Sequence, residues 1–279
     1  MELSITTDYA TDKLSPKPYL RSIADAGFTH IHWCHHWGSD FLYSKWEIDQ
    51  IKKWLKDFRL KLLDLHASAG IEKSWGSLRE YERLAGVELV KNRIYMAANL
   101  GTDVINLHIP KEPESETEKK LFQTHLRKSL DQLKTFAKEH NVRIALENLI
   151  GQNPATHQKL LSEYDPSFLG LCFDSGHDNI DGMGSELLDS HKDRLLSIHL
   201  NDNDGVKSLH NLLFSGTVNW SQVATAIAES SYSKCASMEV MMNHSNIKSE
   251  KAFLKKAFEA GTVFAKMLSQ ECNRINARA

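Results

Sequence analysis

Short apolar or alternating runs and longer stretches with helical spacing take turns along the chain, and the alternation recurs about every 35 residues. The strand-like runs cover residues 3–6, 29–33, 61–66, 103–108, 143–147, 170–174, 195–199 and 236–240. Between them lie helical patterns with one apolar face: Ile48, Ile51, Leu55 and Phe58; Leu84, Val87, Val90, Ile94 and Ala97; Phe122, Leu126, Leu130, Leu133 and Ala137. Later helices are centred on residues 220–227 and 253–268, a short one follows Asp174, and 201–219 reads as a long loop. Ser115-Glu116-Thr117-Glu118 reads as a capping box, and Gly27 and Gly101 fall where a helix gives way to a strand.

Strands that alternate with helices pair in parallel through right-handed crossovers, and eight such units close into a barrel. The expected fold is therefore α/β, a single (β/α)8 TIM barrel with residues 1–279 as one domain. The competing doubly wound sheet would place a glycine-rich phosphate turn after its first strand, and Thr6-Thr7-Asp8-Tyr9-Ala10 has none.

In such a barrel the chemistry sits at the C-terminal strand ends, and strands three to eight end in His66, His108, Glu147, Asp174, His199 and Glu239. Several carboxylates converging on one mouth repel each other unless a cation neutralises them. Nitrogen and oxygen donors without thiolates suit a divalent ion such as zinc, manganese, cobalt or magnesium. Asp174-Ser175-Gly176-His177 adds an imidazole just past a strand end, with Gly176 read as allowing a sharp turn, and His210 follows in the long loop. Aromatic residues gather in the loops on the same side: Trp33 and Trp37 with His35 and His36, then Trp75 and Phe214. Flat rings there suit stacking on the carbon–hydrogen face of a sugar, or on a base.

Composition narrows the partners. The chain has 279 residues, 41% hydrophobic and 25% charged, with a formal net charge of −2. That balance fits an ordinary folded protein and disfavours a nucleic-acid partner, whose phosphates are met chiefly by Lys and Arg. Cys34, Cys172, Cys235 and Cys272 stand far apart with no Cys-x-x-Cys pair, the opening residues lack a signal-peptide pattern, and no apolar run approaches the ~18 residues of a membrane span. A cytoplasmic protein with no membrane partner is expected, and a homo-oligomer is left open.

Six segments, Leu65-His66-Ala67, Leu107-His108, Ala145-Leu146-Glu147-Asn148, Phe173-Asp174-Ser175-Gly176-His177, Ile198-His199-Leu200-Asn201-Asp202 and Met238-Glu239-Val240, together resemble the xylose isomerase-like TIM-barrel superfamily over nearly the whole chain. That superfamily holds sugar and sugar-phosphate isomerases and epimerases together with the endonuclease IV type of abasic-site nuclease. The resemblance implies a divalent metal on Glu147, Asp174, His199 and Glu239, with Glu147 and Glu239 as the catalytic acid and base for proton abstraction beside a carbonyl through a metal-stabilised ene-diolate. It implies His177 at the substrate, a small-molecule sugar or cyclitol, and allows a second metal at His66 and His108. His66, His108, His210, Trp33 and Trp75 are the further candidate substrate contacts. The alternative, a zinc-dependent abasic-site phosphodiesterase, requires an aspartate two residues before His210, where this chain has Ser208.

Overall fold

The computed structural model describes residues 2–10 and 15–277; Met1, part of the opening stretch read above, lies outside the described residues. Eight strands, β1 (Leu3–Thr6), β2 (His30–Trp33), β3 (Lys61–His66), β4 (Val104–Leu107), β5 (Arg143–Glu147), β6 (Leu169–Asp174), β7 (Leu195–His199) and β8 (Ala236–Met238), pair in parallel in chain order, with β8 returning to β1. Between β7 and β8 the ring closes through the Leu200–Met238 bridge, where Leu200 N–H donates to the Ser237 carbonyl at 2.9 Å and Glu239 N–H to the Leu200 carbonyl at 3.0 Å. The result is the (β/α)8 barrel that the alternation predicts.

Around it lie α1 (Lys17–Asp25), α2 (Lys45–Phe58), α3 (Glu80–Leu100), α4 (Glu116–Glu139), α5 (Pro154–Glu163), α6 (Ser175–Asp181), α7 (Met183–Ser190), α8 (Trp220–Ala228) and α9 (Glu250–Asn276). The short helix expected after Asp174 is two, α6 and α7, divided at Gly182 in the left-handed region, φ 74°. Gly101 ends α3 in the same way, φ 89°. At Ser115 only half of the expected box forms: its hydroxyl accepts from Glu118 N–H, and also donates to the Glu118 carboxylate at 2.8 Å. The complete reciprocal box is at Ser44 and Glu47, opening α2. No helix among the described residues is long and apolar enough to cross a membrane.

Each strand sends alternate side chains to opposite faces. In β5, Ile144 and Leu146 join the large apolar cluster, whereas Ala145 packs with Val104, Cys172 and Leu196, and Glu147 takes the same parity as Ala145 at the strand end. The same alternation sets Ile105 and Leu107 apart from Asn106, and Ile198 apart from Ser197 and His199. Burying each such Leu or Ile contributes about 1.5–3 kcal/mol, so cohesion comes from the layer between strands and helices. The other face is polar: Ser4, Thr6, His32, Asp64, His66, Asn106, Glu147, Asp174, Ser197, His199 and Ser237 are all buried. Barrel interiors are usually filled by Val, Ile and Leu. Two irregularities in strand pairing, at Ile31/His32 and Leu171/Cys172, lie beside this polar lining.

Candidate functional site

Strand ends deliver most of the expected residues to one place. Glu147 closes β5, Asp174 closes β6, His199 closes β7, and Glu239 follows β8 by one residue. All four are buried, and one donor atom from each lies within 4.8 Å of the others. The centre of the group is His199 Nδ1, 3.2 Å from Glu147 Oε2 and 3.2 Å from Glu239 Oε2. That nitrogen is buried and makes no hydrogen bond, which in an apolar wall costs about 1–3 kcal/mol.

Electrostatics here are dominated by charge compensation. Burial alone would push the Glu147 carboxyl up, but the imidazoles of His199 and His108 hold it well below the usual range. Glu239 is likewise held well below against burial by His199, His32 and His210. Asp174 goes the other way: burial raises it, and the imidazoles of His177 and His210, which also face Glu147 and Glu239, do not make up for that burial. His199 is raised well above an ordinary imidazole because the acidic groups around it outweigh burial. The three carboxylates thus gather positive charge, and the donor set, one imidazole nitrogen and three carboxylates around an unpartnered atom, fits a divalent cation. His66, His108 and Glu147 form a second group that could hold an ion. There His66 Nε2 stands 3.0 Å from His108 Nε2, and Glu147 Oε2 lies 3.5 Å and 3.2 Å from them.

Supporting bonds orient these groups. His66 Nδ1–H donates to the Ala67 carbonyl at 2.8 Å, leaving Nε2 toward the site. Asp174 caps α6, its Oδ1 accepting from His177 N–H at 2.7 Å while Oδ2 accepts from Asn201 at 2.8 Å. His177 Nδ1–H donates to the Asn148 carbonyl at 2.9 Å, and the same nitrogen lies 3.6 Å from Glu147 Oε1. His210, in the left-handed region at φ 47°, donates from Nδ1 to the Glu239 carbonyl at 2.9 Å and sets its ring 5.7 Å from that of His177. Strain of this kind in a non-glycine residue persists only where surroundings impose it. Here Met241 N–H donates to the His210 carbonyl at 2.7 Å and the neighbouring Asn211 pairs with the Asp202 backbone; the Asp202 side chain accepts from Gly216 N–H, Val218 N–H and the Trp220 indole at 2.9, 3.1 and 3.1 Å, and so ties the 201–219 loop to the mouth.

Gly176 is needed for a different reason from the turn that its position suggests. Its φ is not in the left-handed region; instead, a Cβ there would overlap Asn201 Oδ1, the amide that holds Asp174.

The tryptophans divide. Trp33 and Trp75 are fully buried, with indole N–H groups bonded to Tyr43 Oη at 3.1 Å and the His108 carbonyl at 3.0 Å, so both belong to the packing behind the mouth. The ring at the mouth is Trp37, half-buried, 4.8 Å from the His66 ring and 5.4 Å from that of His108.

The sequence reading passed over a layer beneath the site. His32 donates from Nδ1 to Asp64 at 2.6 Å, and Ser197 donates to the other oxygen of Asp64 at 2.5 Å. Asn106 meets His199 Nε2 at 2.9 Å. The signal was available: Asp64, Asn106 and Ser197 each stand two residues before a candidate histidine, on the same face of its strand.

Residues 20–257 match the family model described as xylose isomerase-like TIM barrel. An uncharacterised protein of Sinorhizobium fredii is 31% identical over 91% of this chain and 90% of its own length. Among solved structures, a D-tagatose 3-epimerase-like protein superposes with a TM-score of 0.80 at 19% identity, covering 99% of this chain and all of that one. D-Psicose 3-epimerase of Clostridium cellulolyticum H10 superposes at 0.78 with 17% identity, over 96% of this chain and 99% of its own.

Proposed function

Because the chain belongs to the xylose isomerase-like TIM-barrel family, we propose that it is a divalent-metal-dependent sugar isomerase or epimerase that transfers a proton at the carbon beside a carbonyl. Residues 1–279 act in this reading as one barrel domain on a free small-molecule sugar. The observation that carries it is the placement of Glu147 and Glu239 on two sides of one imidazole nitrogen, each 3.2 Å from it. The epimerase structures with the same fold support the substrate class.

A carbon–hydrogen bond next to a carbonyl is a very weak acid, so removing its proton requires a placed base and a surrounding that accepts negative charge. Glu147 and Glu239 are both held as carboxylates, so each can accept a proton. One takes the proton from one face of the carbon, and the other, entering the cycle with a proton drawn from solvent at the mouth, returns that proton to the opposite face; this inverts the centre, and the first glutamic acid then gives its proton back to solvent. A divalent cation on Glu147, Asp174, His199 and Glu239 would supply the positive charge that lowers the cost of the developing oxyanion. His177, His210, His66 and His108 line the same mouth and are assigned to substrate hydroxyls, with Trp37 covering the carbon–hydrogen face. Trp33 and Trp75 hold this lining from behind.

Incubation with a panel of ketoses, aldoses and inosose-type cyclitols in heavy water tests the proposal by showing which carbon gains deuterium. Glu147→Gln and Glu239→Gln are each expected to abolish exchange with the fold intact. Undiminished exchange in both variants would sink the acid–base assignment.

A further inference from the structure

Neutral imidazole carries one N–H and one lone pair, and which nitrogen holds which is set by the partner of the other. For His199 that partner is Asn106, fully buried on β4, with Nδ2 placed 2.9 Å from Nε2 and Oδ1 left without a partner. The opposite ring nitrogen, Nδ1, has no partner and stands between the carboxylates of Glu147 and Glu239.

For the neutral ring that a metal ligand must be, two arrangements satisfy the contact at Nε2. If Asn106 offers its N–H, the ring proton sits on Nδ1 and points at the carboxylates, and the ring is no ligand. If Asn106 offers its oxygen, Nε2 carries the proton and donates it, and Nδ1 presents a lone pair to the three carboxylates. The two ends of an amide have the same shape, so a half-turn of the Asn106 side chain exchanges the arrangements without moving either backbone. Ligating histidines almost always donate their second N–H to an oxygen acceptor, which fixes the ring and raises its basicity.

We propose that Asn106 is a positioning residue for the metal: its amide oxygen accepts the His199 Nε2 proton and so commits Nδ1 to ligation. This rests on the metal reading proposed above, and it adds the fourth strand, which contributes none of the four ligands, to the machinery of the site.

The test is zinc affinity by competition with a chromogenic chelator, for the wild-type protein, Asn106→Leu and Asn106→Asp. Loss of the outer partner of a ligating histidine typically weakens binding about 10–100-fold, which is expected for Asn106→Leu, whereas Asn106→Asp keeps the acceptor and should stay within about threefold of wild type. Long-range ¹H–¹⁵N spectra of the zinc-loaded wild type read the tautomer directly and need no variant; the proton is expected on Nε2 of His199. Wild-type affinity in Asn106→Leu, or a proton on Nδ1 in the loaded protein, overturns the inference and leaves the metal reading standing. Failure of the wild type to bind zinc, manganese or cobalt overturns both.

Discussion

Replacing Gly176 by alanine sets local preference against packing in a way that gives opposite signs. Gly176 is the second residue of α6, and Gly→Ala inside a helix ordinarily stabilises by roughly 0.5–1 kcal/mol. Here the new methyl meets Asn201 Oδ1, with the Asn203 amide 3.1 Å away on the other side. Neither neighbour can yield freely. Asn201 is fully buried and donates to Asp174 Oδ2 at 2.8 Å, and Asn203 donates to the Gly176 carbonyl at 2.6 Å. Displacing Asn201 breaks a hydrogen bond to a buried carboxylate, a loss of about 1.5–3 kcal/mol. The overpacking adds about 1–3 kcal/mol. Set against the helix gain, the net destabilisation is about 2–5 kcal/mol, a sizeable share of the ~5–15 kcal/mol that holds a typical domain. Urea unfolding measures it, with Gly38→Ala as the control, since a Cβ at Gly38 meets nothing within 4 Å. A Gly176→Ala protein as stable as wild type would show that Asn201 is not wedged where the contacts place it, and the account of how Asp174 is held would fail with it.

Adding a divalent cation should raise the thermal midpoint: at one hundred times Kd the gain is about 2.7 kcal/mol, a few degrees for a chain of this size, and a chelator should reverse it. An unchanged midpoint with zinc, manganese and cobalt would count against the metal. Acidification should weaken the fold through His157, whose burial lowers its pKa to about 4 while Nε2 donates to the Glu147 carbonyl at 3.0 Å. The unfolded chain takes up that proton near pH 6.5 and the folded one only near 4, so this contribution is whole above 6.5 and is lost progressively as pH falls toward 4. It amounts to about 3 kcal/mol, and His157→Gln should flatten the difference between urea midpoints at pH 7 and pH 5. Asp202→Ala should free the 203–219 loop, so that limited proteolysis cuts there well before global unfolding; protection equal to wild type would contradict the role given to Asp202.

The barrel and the six candidate strand ends were legible in the sequence because both follow from period, whereas the choice of Glu147, Asp174, His199 and Glu239 among them came from the family resemblance. Strands announce themselves by short apolar runs, and His66, Glu147, Asp174 and His199 each close one. What stayed hidden depends on contacts between residues distant in the chain. Trp33 looks like a site aromatic from its place at a strand end, yet its partner Tyr43 makes it part of the core. Trp37, four residues on, reaches the mouth only because the loop after β2 folds back over His66. His32 and Asp64 read singly as strand residues; only the register between β2 and β3 makes them a pair. The role of Gly176 was misplaced for the same reason, since Asn201 lies 25 positions further on.

The polar lumen has a consequence for how such a protein can change over time. Along one strand, neighbouring residues answer to different demands: Ile144 and Leu146 hold the helices, whereas Ala145 and Glu147 face the interior. Substitutions on the outward set should alter whether the molecule persists but not which bond it makes or breaks. Substitutions on the inward set should alter the chemistry while the scaffold endures. The period-two alternation of a strand thus separates durability from reactivity within a single stretch of chain, and lets a lineage explore new substrates without first surviving a loss of architecture.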